Sequence, residues 1–291
     1  MLLRVRNLVA VPLVALMALA TSCVDADREL TRDEWAELYS AYAIALAVTH
    51  PDYGSGLLTD YSEPKNILPT DAPSAVSIDM AAIPGGLGPS LTTVTLTPRK
   101  EGDYELAGVG ETGATEVFRE GYLKGTGRPD QERHKVERFL EGLDKAISTS
   151  GLDRRKYGVA LIVELDKPLT SREMESAELD SVASRVLFPA IGPANLPMSW
   201  SQDNCGVLHT PACDGWDEVE QFRAWLKSLR PAQRQTLTGR AFDLGGMEQT
   251  AASGRISGLM VDWIVPGGAL EIVRNPHVRA AYLVGVVQLL P

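Results

Sequence analysis

The feature that most restricts this chain is the order of strand patterns and helix starts in its second half. Residues 157–165 set Tyr157, Val159, Leu161, Val163 and Leu165 on one side of an extended segment, and Lys167-Pro168 stops it. Such period-two alternation marks a strand buried on one face. Thr170 and Glu173 have the spacing of a capping box, with Leu169 and Met174 as the flanking staple pair, so a helix is expected from Ser171. Residues 185–191 read as a second strand, expected at a sheet edge because Pro189 has no N–H to give a ladder. Residues 216–229 follow as an amphipathic helix with Val219, Phe222, Leu226 and Leu229 along one face, stopped by Pro231. Residues 256–265 return as a strand, 269–274 as a short helix cut off before Pro276, and 278–287 as the last strand. The order β, α, β, inserted α, β, α, β predicts an α+β fold. Its C-terminal part is expected to be ferredoxin-like, an antiparallel sheet carrying helices on one face.

The first half has a looser grammar. Thr31 and Glu34 make another capping box, Leu30 can staple onto Trp35, and the helix they start runs to about Val48, ahead of Pro51. Trp35, Leu38, Tyr42, Ala45 and Leu46 give that helix a broad apolar face that must be buried. Residues 52–89 are rich in Gly, Pro, Ser and Asp and read as loop around one strand at 75–80. A hairpin is expected from 91–97 and 104–109, and a further strand at 116–119. Residues 131–148 form an amphipathic helix through Val136, Phe139, Leu140, Leu143 and Ile147. Residues 149–153 look like a seam. The expected organisation is therefore a signal segment at 1–22, a loop-rich α+β region at 23–150 and a ferredoxin-like domain at 151–291 whose insertion carries a disulfide.

In the signal segment, Arg4 and Arg6 precede an apolar run of 13 residues at 8–20. A spanning helix needs roughly 20, so the run reads as an export signal and not as a membrane anchor. Ala20-Thr21-Ser22-Cys23 resembles the lipobox of bacterial lipoproteins. That resemblance implies cleavage before Cys23, acylation of its thiol and its new amine, and a chain held at the extracytoplasmic face of the cell membrane. Ala18-Leu19-Ala20 also fits an ordinary signal peptidase site, so free secretion is the alternative. Cysteine arithmetic bears on the choice. Cys205 and Cys213 are spaced to close a short loop, which leaves Cys23 as the odd thiol of three, and lipidation would give it a role. Closing the 205–213 loop would contribute about 2.5 kcal/mol by the chain-entropy relation and suits an oxidising compartment.

The chain of 291 residues carries a formal charge of −10, which becomes −12 once Arg4 and Arg6 are removed. An acidic body of this kind disfavours phosphate backbones, so no nucleic-acid partner is expected. Two stretches, LIVELDKPLTSREM at 161–174 and SGLMVDWIVPGGALEIVRNPHVRAAYLVGV at 257–286, resemble the C-terminal extracytoplasmic domain of sigma factor regulator proteins of Gram-positive bacteria. In that family a strand leads into a K-P-L-S/T helix start, and a D/N-P-x-V turn leads into the final strand. The family presents this domain beyond a transmembrane helix leading to a cytoplasmic portion, which this chain is expected to lack once its signal is processed. The resemblance thus implies a sensing or partner-binding module outside the membrane and carries over no catalytic residue.

Several motifs look chemical in isolation. Gly108-Val109-Gly110-Glu111-Thr112-Gly113 spells the dinucleotide fingerprint, but Gly121, Gly125 and Gly127 stand where its helix should run. Ser62-Glu63-Pro64-Lys65 spells SxxK, but Pro64 bars the helical turn that would join serine to lysine. The histidines, His50, His134, His209 and His277, are scattered, and His134 with Glu137 reads as a solvated pair on one helix face. No catalytic residue, cofactor or metal is expected. The most site-like patch is Trp200, Asp203, Asn204, His209, Asp214 and Trp216, on a loop braced by the cysteines, where exposed aromatics would make a binding surface. The chain is therefore expected to be a lipid-anchored binding or regulatory module of the bacterial envelope, its partners the membrane and an envelope protein. A hydrolase whose site assembles only in three dimensions and a transporter's receptor lipoprotein are the alternatives.

Overall fold

The structure is a computed structural model that describes residues 32–54, 76–82, 90–98, 104–107, 114, 117–118, 128–189, 197–202, 204, 217–238 and 242–288. Cys23, the capping box at Thr31, the SxxK at 62–65, the glycine motif at 108–113 and both Cys205 and Cys213 lie outside them. Seven α-helices and two antiparallel sheets make up the described residues, an α+β fold.

The first helix, α1 (Arg32–Thr49), is buried on every side from Ala41 to Val48, which is why its apolar residues spread beyond a single stripe. Thr49 and His50 end it, and β1 (Tyr53–Gly54) opens a four-stranded sheet with β2 (Val76–Ala82), β3 (Ser90–Pro98) and β4 (Tyr104–Ala107), in the order β1-β2-β3-β4. The expected hairpin is present, with Pro98 opposite Tyr104. Of the strand expected at 116–119, the described positions 117 and 118 are not extended. Positions 114, 117 and 118 are helical, and Ala114 and Phe118 are buried.

Helix α2 (Pro129–Thr149) starts with Pro129 in its first turn, a position where the missing N–H costs nothing, and buries Val136, Leu140 and Ile147. Phe139, read from the sequence as part of the apolar face, is 44% exposed. A single 3-10 turn (Arg154–Lys156) leads into β5 (Tyr157–Leu169), which is longer than the alternation predicts. The pairing shifts register between Glu164 and Leu169, so the chain bulges where Pro168 has no donor and resumes pairing at Leu169 with Ile256.

The five-stranded sheet has the order β7-β6-β8-β5-β9, where β6 is Arg185–Phe188, β7 Met198–Trp200, β8 Ile256–Ile264 and β9 Val278–Gln288. Taken without β7, its strands run second, third, first, fourth in chain order, all antiparallel. That is the ferredoxin-like arrangement. Strand β6 corrects one expectation. It ends at Phe188, before Pro189, and pairs with β7 on its free side, so β7 and not β6 is the edge. Ending the strand at Phe188 removes the need for the proline's absent N–H.

Short helix α3 (Ser171–Ser176) connects β5 to β6, and the insertion between β6 and β8 holds α4 (Glu218–Ser228), α5 (Pro231–Thr238) and α6 (Leu244–Ser253). Pro231 ends one helix and opens the next. The last helix, α7 (Pro266–Arg274), joins β8 to β9.

One face of the sheet, through Val159, Leu161, Val163 and Leu165 of β5, packs against Val136 and Leu140 of α2, Phe222 and Trp225 of α4, Met247 of α6 and Ile272 of α7. Each such side chain contributes about 1.5–3 kcal/mol when taken out of water. The core also takes in α1, so residues before and after the 149–153 segment share it. The other face buries Ile162, Leu187 and Met260 beneath Ala114 and Phe118.

Candidate functional site

The patch that the sequence marks divides in the structure. Trp200 is fully buried: its ring stacks on Phe222 at 5.1 Å between centroids and lies 5.8 Å from Trp225, and its Nε1–H donates to Gln221 Oε1 at 3.2 Å. It is a core aromatic and offers no exposed surface, because β7 turns it toward α4. Asn204 is also buried, and its Oδ1 accepts no hydrogen bond among the described residues. Asp203, His209, Asp214 and Trp216 lie outside them.

Both ends of that loop nevertheless reach one cleft. Gln202 and Asp217 line a cavity of about 690 Å³ together with Ser171, Arg172 and Glu175 of α3, Asp180, Ser181 and Glu218. Met174, Val186 and Ile256 form its apolar floor. The local sequence builds the walls. Thr170 accepts from the Glu173 N–H at 3.3 Å while the Glu173 carboxylate accepts from the Thr170 N–H at 2.8 Å, so the capping box read from the sequence is closed in both directions. The Thr170 N–H, and then the Thr170 hydroxyl 2.9 Å from the same carboxylate, hold the Glu173 carboxyl below its usual range. On the opposite wall Asp217 caps α4 by accepting from the Glu220 N–H at 2.8 Å, and Glu218 accepts from Gln202 Nε2 at 3.0 Å.

The lining thus has four carboxylates, Glu175, Asp180, Asp217 and Glu218, against one guanidinium, Arg172. Two of the four are committed to local hydrogen bonds. Such a cleft can seat a cationic group beside an apolar one. Among the described residues, no three His, Cys, Asp or Glu side chains are placed to hold a metal ion.

Other titratable groups have structural partners. His50 Nδ1 lies 3.0 Å from Thr49 Oγ1, with Asp52 buried nearby, a trio that resembles a nucleophile with its base. The Thr49 hydroxyl also lies 2.8 Å from the Ala45 carbonyl, and while it donates there the imidazole is the donor in the Thr49–His50 contact. Burial lowers the His50 pKa, opposed by the charge of Asp52. His134 meets Glu137 at 3.4 Å, but Glu137 is held by Arg274 at 2.7 Å, and that bond lowers the Glu137 pKa. His277 lies in the turn before β9, where its backbone N–H donates to Asn275 Oδ1 at 3.0 Å and its ring Nδ1 stands 3.9 Å from the Asp166 carboxylate.

On the second sheet face Glu164 is buried in the middle of β5 and pairs with Arg279, while burial and the Glu164 charge raise the Tyr282 pKa to about 12. Neither this cluster nor the cleft stands out in the sequence, because Glu164 and Arg279 are 115 residues apart and the cleft lining runs from Ser171 to Ile256. The capping box at Thr170 is the local mark that the sequence analysis reads in the cleft walls.

Fold and site together define an α+β protein with a ferredoxin-like sheet and an acidic, apolar-floored cleft. Compared with known proteins, the chain matches no family model, no curated protein and no solved structure.

Proposed function

We propose that this chain is a lipid-anchored binding or regulatory module on the extracytoplasmic face of a bacterial cell envelope, without a catalytic role. One observation carries the reading: Arg4 and Arg6, a 13-residue apolar run and Cys23 stand in the order that export and acylation require. Acylation at Cys23 with a further chain on its amine exceeds the two membrane signals that stable anchoring needs. The cleft supports the binding part of the reading. Its walls are capped helix starts, Met174, Val186 and Ile256 give it apolar lining, and its carboxylates suit a basic segment of an envelope protein.

The test is replacement of the acceptor thiol. Cys23→Ala is expected to release the chain from the membrane fraction or to block its maturation, and mass analysis of the parent is expected to find acyl chains at residue 23. An unmodified thiol on a parent that remains with the membrane would overturn the anchor. Affinity capture from native membranes tests the binding part: an envelope protein lost on Asp180→Lys supports it, and capture unaffected by that change counts against the cleft.

A further inference from the structure

A second unusual feature lies where β5 begins and β8 finishes. Between the pairs Val159–Ile264 and Leu161–Val261, β5 advances two residues and β8 three, so β8 bulges there. Trp263 sits in the bulge at φ 58°, a left-handed backbone that bulky residues rarely adopt. The bulge lays its ring over Gly158, where an added Cβ would stand 3.5 Å from the ring Cε3. The indole still keeps 36% exposure, with Val265 at 40% two residues on and Leu152 at 48% just before the same strand start.

Between Leu152 and β5 stands the only run of three Lys or Arg residues in the sequence, Arg154-Arg155-Lys156, all exposed. Arg154 pairs with Asp144 at 3.1 Å, and the Asp153 carboxylate accepts from the Arg155 N–H at 3.0 Å. Among the described residues Arg155 and Lys156 have no ion pair. The processed chain, of net charge −12, is repelled as a whole by an anionic surface, and a cluster of exposed basic side chains offsets that repulsion locally.

We propose that this end of the sheet is a second membrane contact, with Trp263, Val265 and Leu152 entering the headgroup level of a bilayer and Arg155 and Lys156 meeting anionic lipid headgroups. Indole rings favour that depth, and basic side chains gain from the surface potential. The inference rests on the anchored reading and adds an orientation to it. Ser171, two residues beyond the far end of β5, and Ile256, the first residue of β8, line the cleft, so docking through Trp263 holds the cleft outward. The thirteen residues of β5 span roughly 40 Å at the rise of a strand.

The test uses the mature chain from residue 23 carrying Cys23→Ser, so that no acyl group contributes. It is mixed with vesicles of equal parts phosphatidylcholine and phosphatidylglycerol, or of phosphatidylcholine alone, and separated by flotation. Binding is expected to the anionic vesicles only. Neutralising Arg155 or Lys156 to Gln should weaken it about fivefold each, and Trp263→Ser should weaken it further. Because Arg155 and Lys156 are exposed, their variants keep the parental melting temperature and isolate binding from folding. Absence of binding by the parent, equal binding to both vesicle types, or full binding by the Arg155→Gln, Lys156→Gln double variant would overturn the proposal. So would an envelope protein captured through Trp263 in place of vesicles. Acylated Cys23 without vesicle binding would leave the anchor standing and remove only this contact.

Discussion

Gly158 and Trp263 meet so closely that a methyl group at residue 158 would crowd the facing backbone: a Cβ at Gly158 would lie 3.2 Å from the Trp263 Cα and 3.4 Å from its carbonyl carbon. Those are backbone atoms and cannot swing aside as a flexible side chain would. Gly158→Ala is therefore expected to pry β5 from β8 at the bulge and to cost about 1–3 kcal/mol, the usual range for overpacking. A urea titration would read this as a lower midpoint at an unchanged slope. A parental midpoint would show that the bulge is soft.

Trp200 carries a heavier consequence. It stacks on Phe222 and tilts against Trp225 with no exposed surface, so Trp200→Ala is expected to destabilise the fold by about 3–5 kcal/mol. A surface binding aromatic would cost about 0.5 kcal/mol or less when removed. Chemical denaturation followed by far-ultraviolet circular dichroism separates the two.

At the cleft wall, Thr170→Ala removes the hydroxyl that caps α3 and is expected to cost about 1 kcal/mol. The same box makes a pH prediction. Glu173 has a folded pKa below its unfolded value, so its contribution is present above the unfolded pKa and is lost as pH falls through the folded one. The acid arm of a stability profile should accordingly be shallower in Glu173→Gln than in the parent.

Tyr282 gives the opposite sign at high pH. Its folded pKa is raised to about 12, first by burial and then by the Glu164 charge, so the fold favours the neutral phenol. That contribution is full below the ordinary tyrosine pKa of about 10 and is lost as pH rises toward 12. Absorbance at the tyrosinate band should show a late-titrating tyrosine that disappears in Tyr282→Phe.

Arg279 faces the same Glu164 carboxylate, itself 1% exposed. Arg279→Ala leaves a buried charge short of its partner and is expected to cost about 3 kcal/mol, toward the lower end for buried pairs because the guanidinium is partly solvated. Thermal melts of Arg279→Ala and of the Arg279→Ala, Glu164→Gln double variant would show the second change restoring part of the loss.

Much of the second half was legible because its signals are local. Alternation at 157–165, the Thr170–Glu173 box and the proline positions each act within a few residues, and β5, α3, α4, β8, α7 and β9 stand where they point. The misses are also local in cause. Helices α5 and α6 go beyond the expected elements, although Pro231 can open the one, and Asp243 and Gly254 cap the other. Gly254 takes the left-handed conformation at φ 57° that ends helices. The strand expected at 116–119 failed because Phe118 is buried over the sheet as part of a helical turn, a choice made by the packing partner and not by the segment's own propensity.

By itself the sequence determined the α+β class, the strand and helix order that yields a ferredoxin-like sheet, and the cap that begins α3. Those follow from periodicity and from hydrogen bonds closed within one turn of chain. Only the tertiary structure decided that Trp200 is core, that β7 and not β6 is the sheet edge, that Trp263 is turned outward by a bulge, and that Gln202, Ser171, Asp217 and Ile256 share a cleft. Each depends on which distant segment arrives to fill space or complete a ladder, and no residue carries that information in its neighbours along the chain.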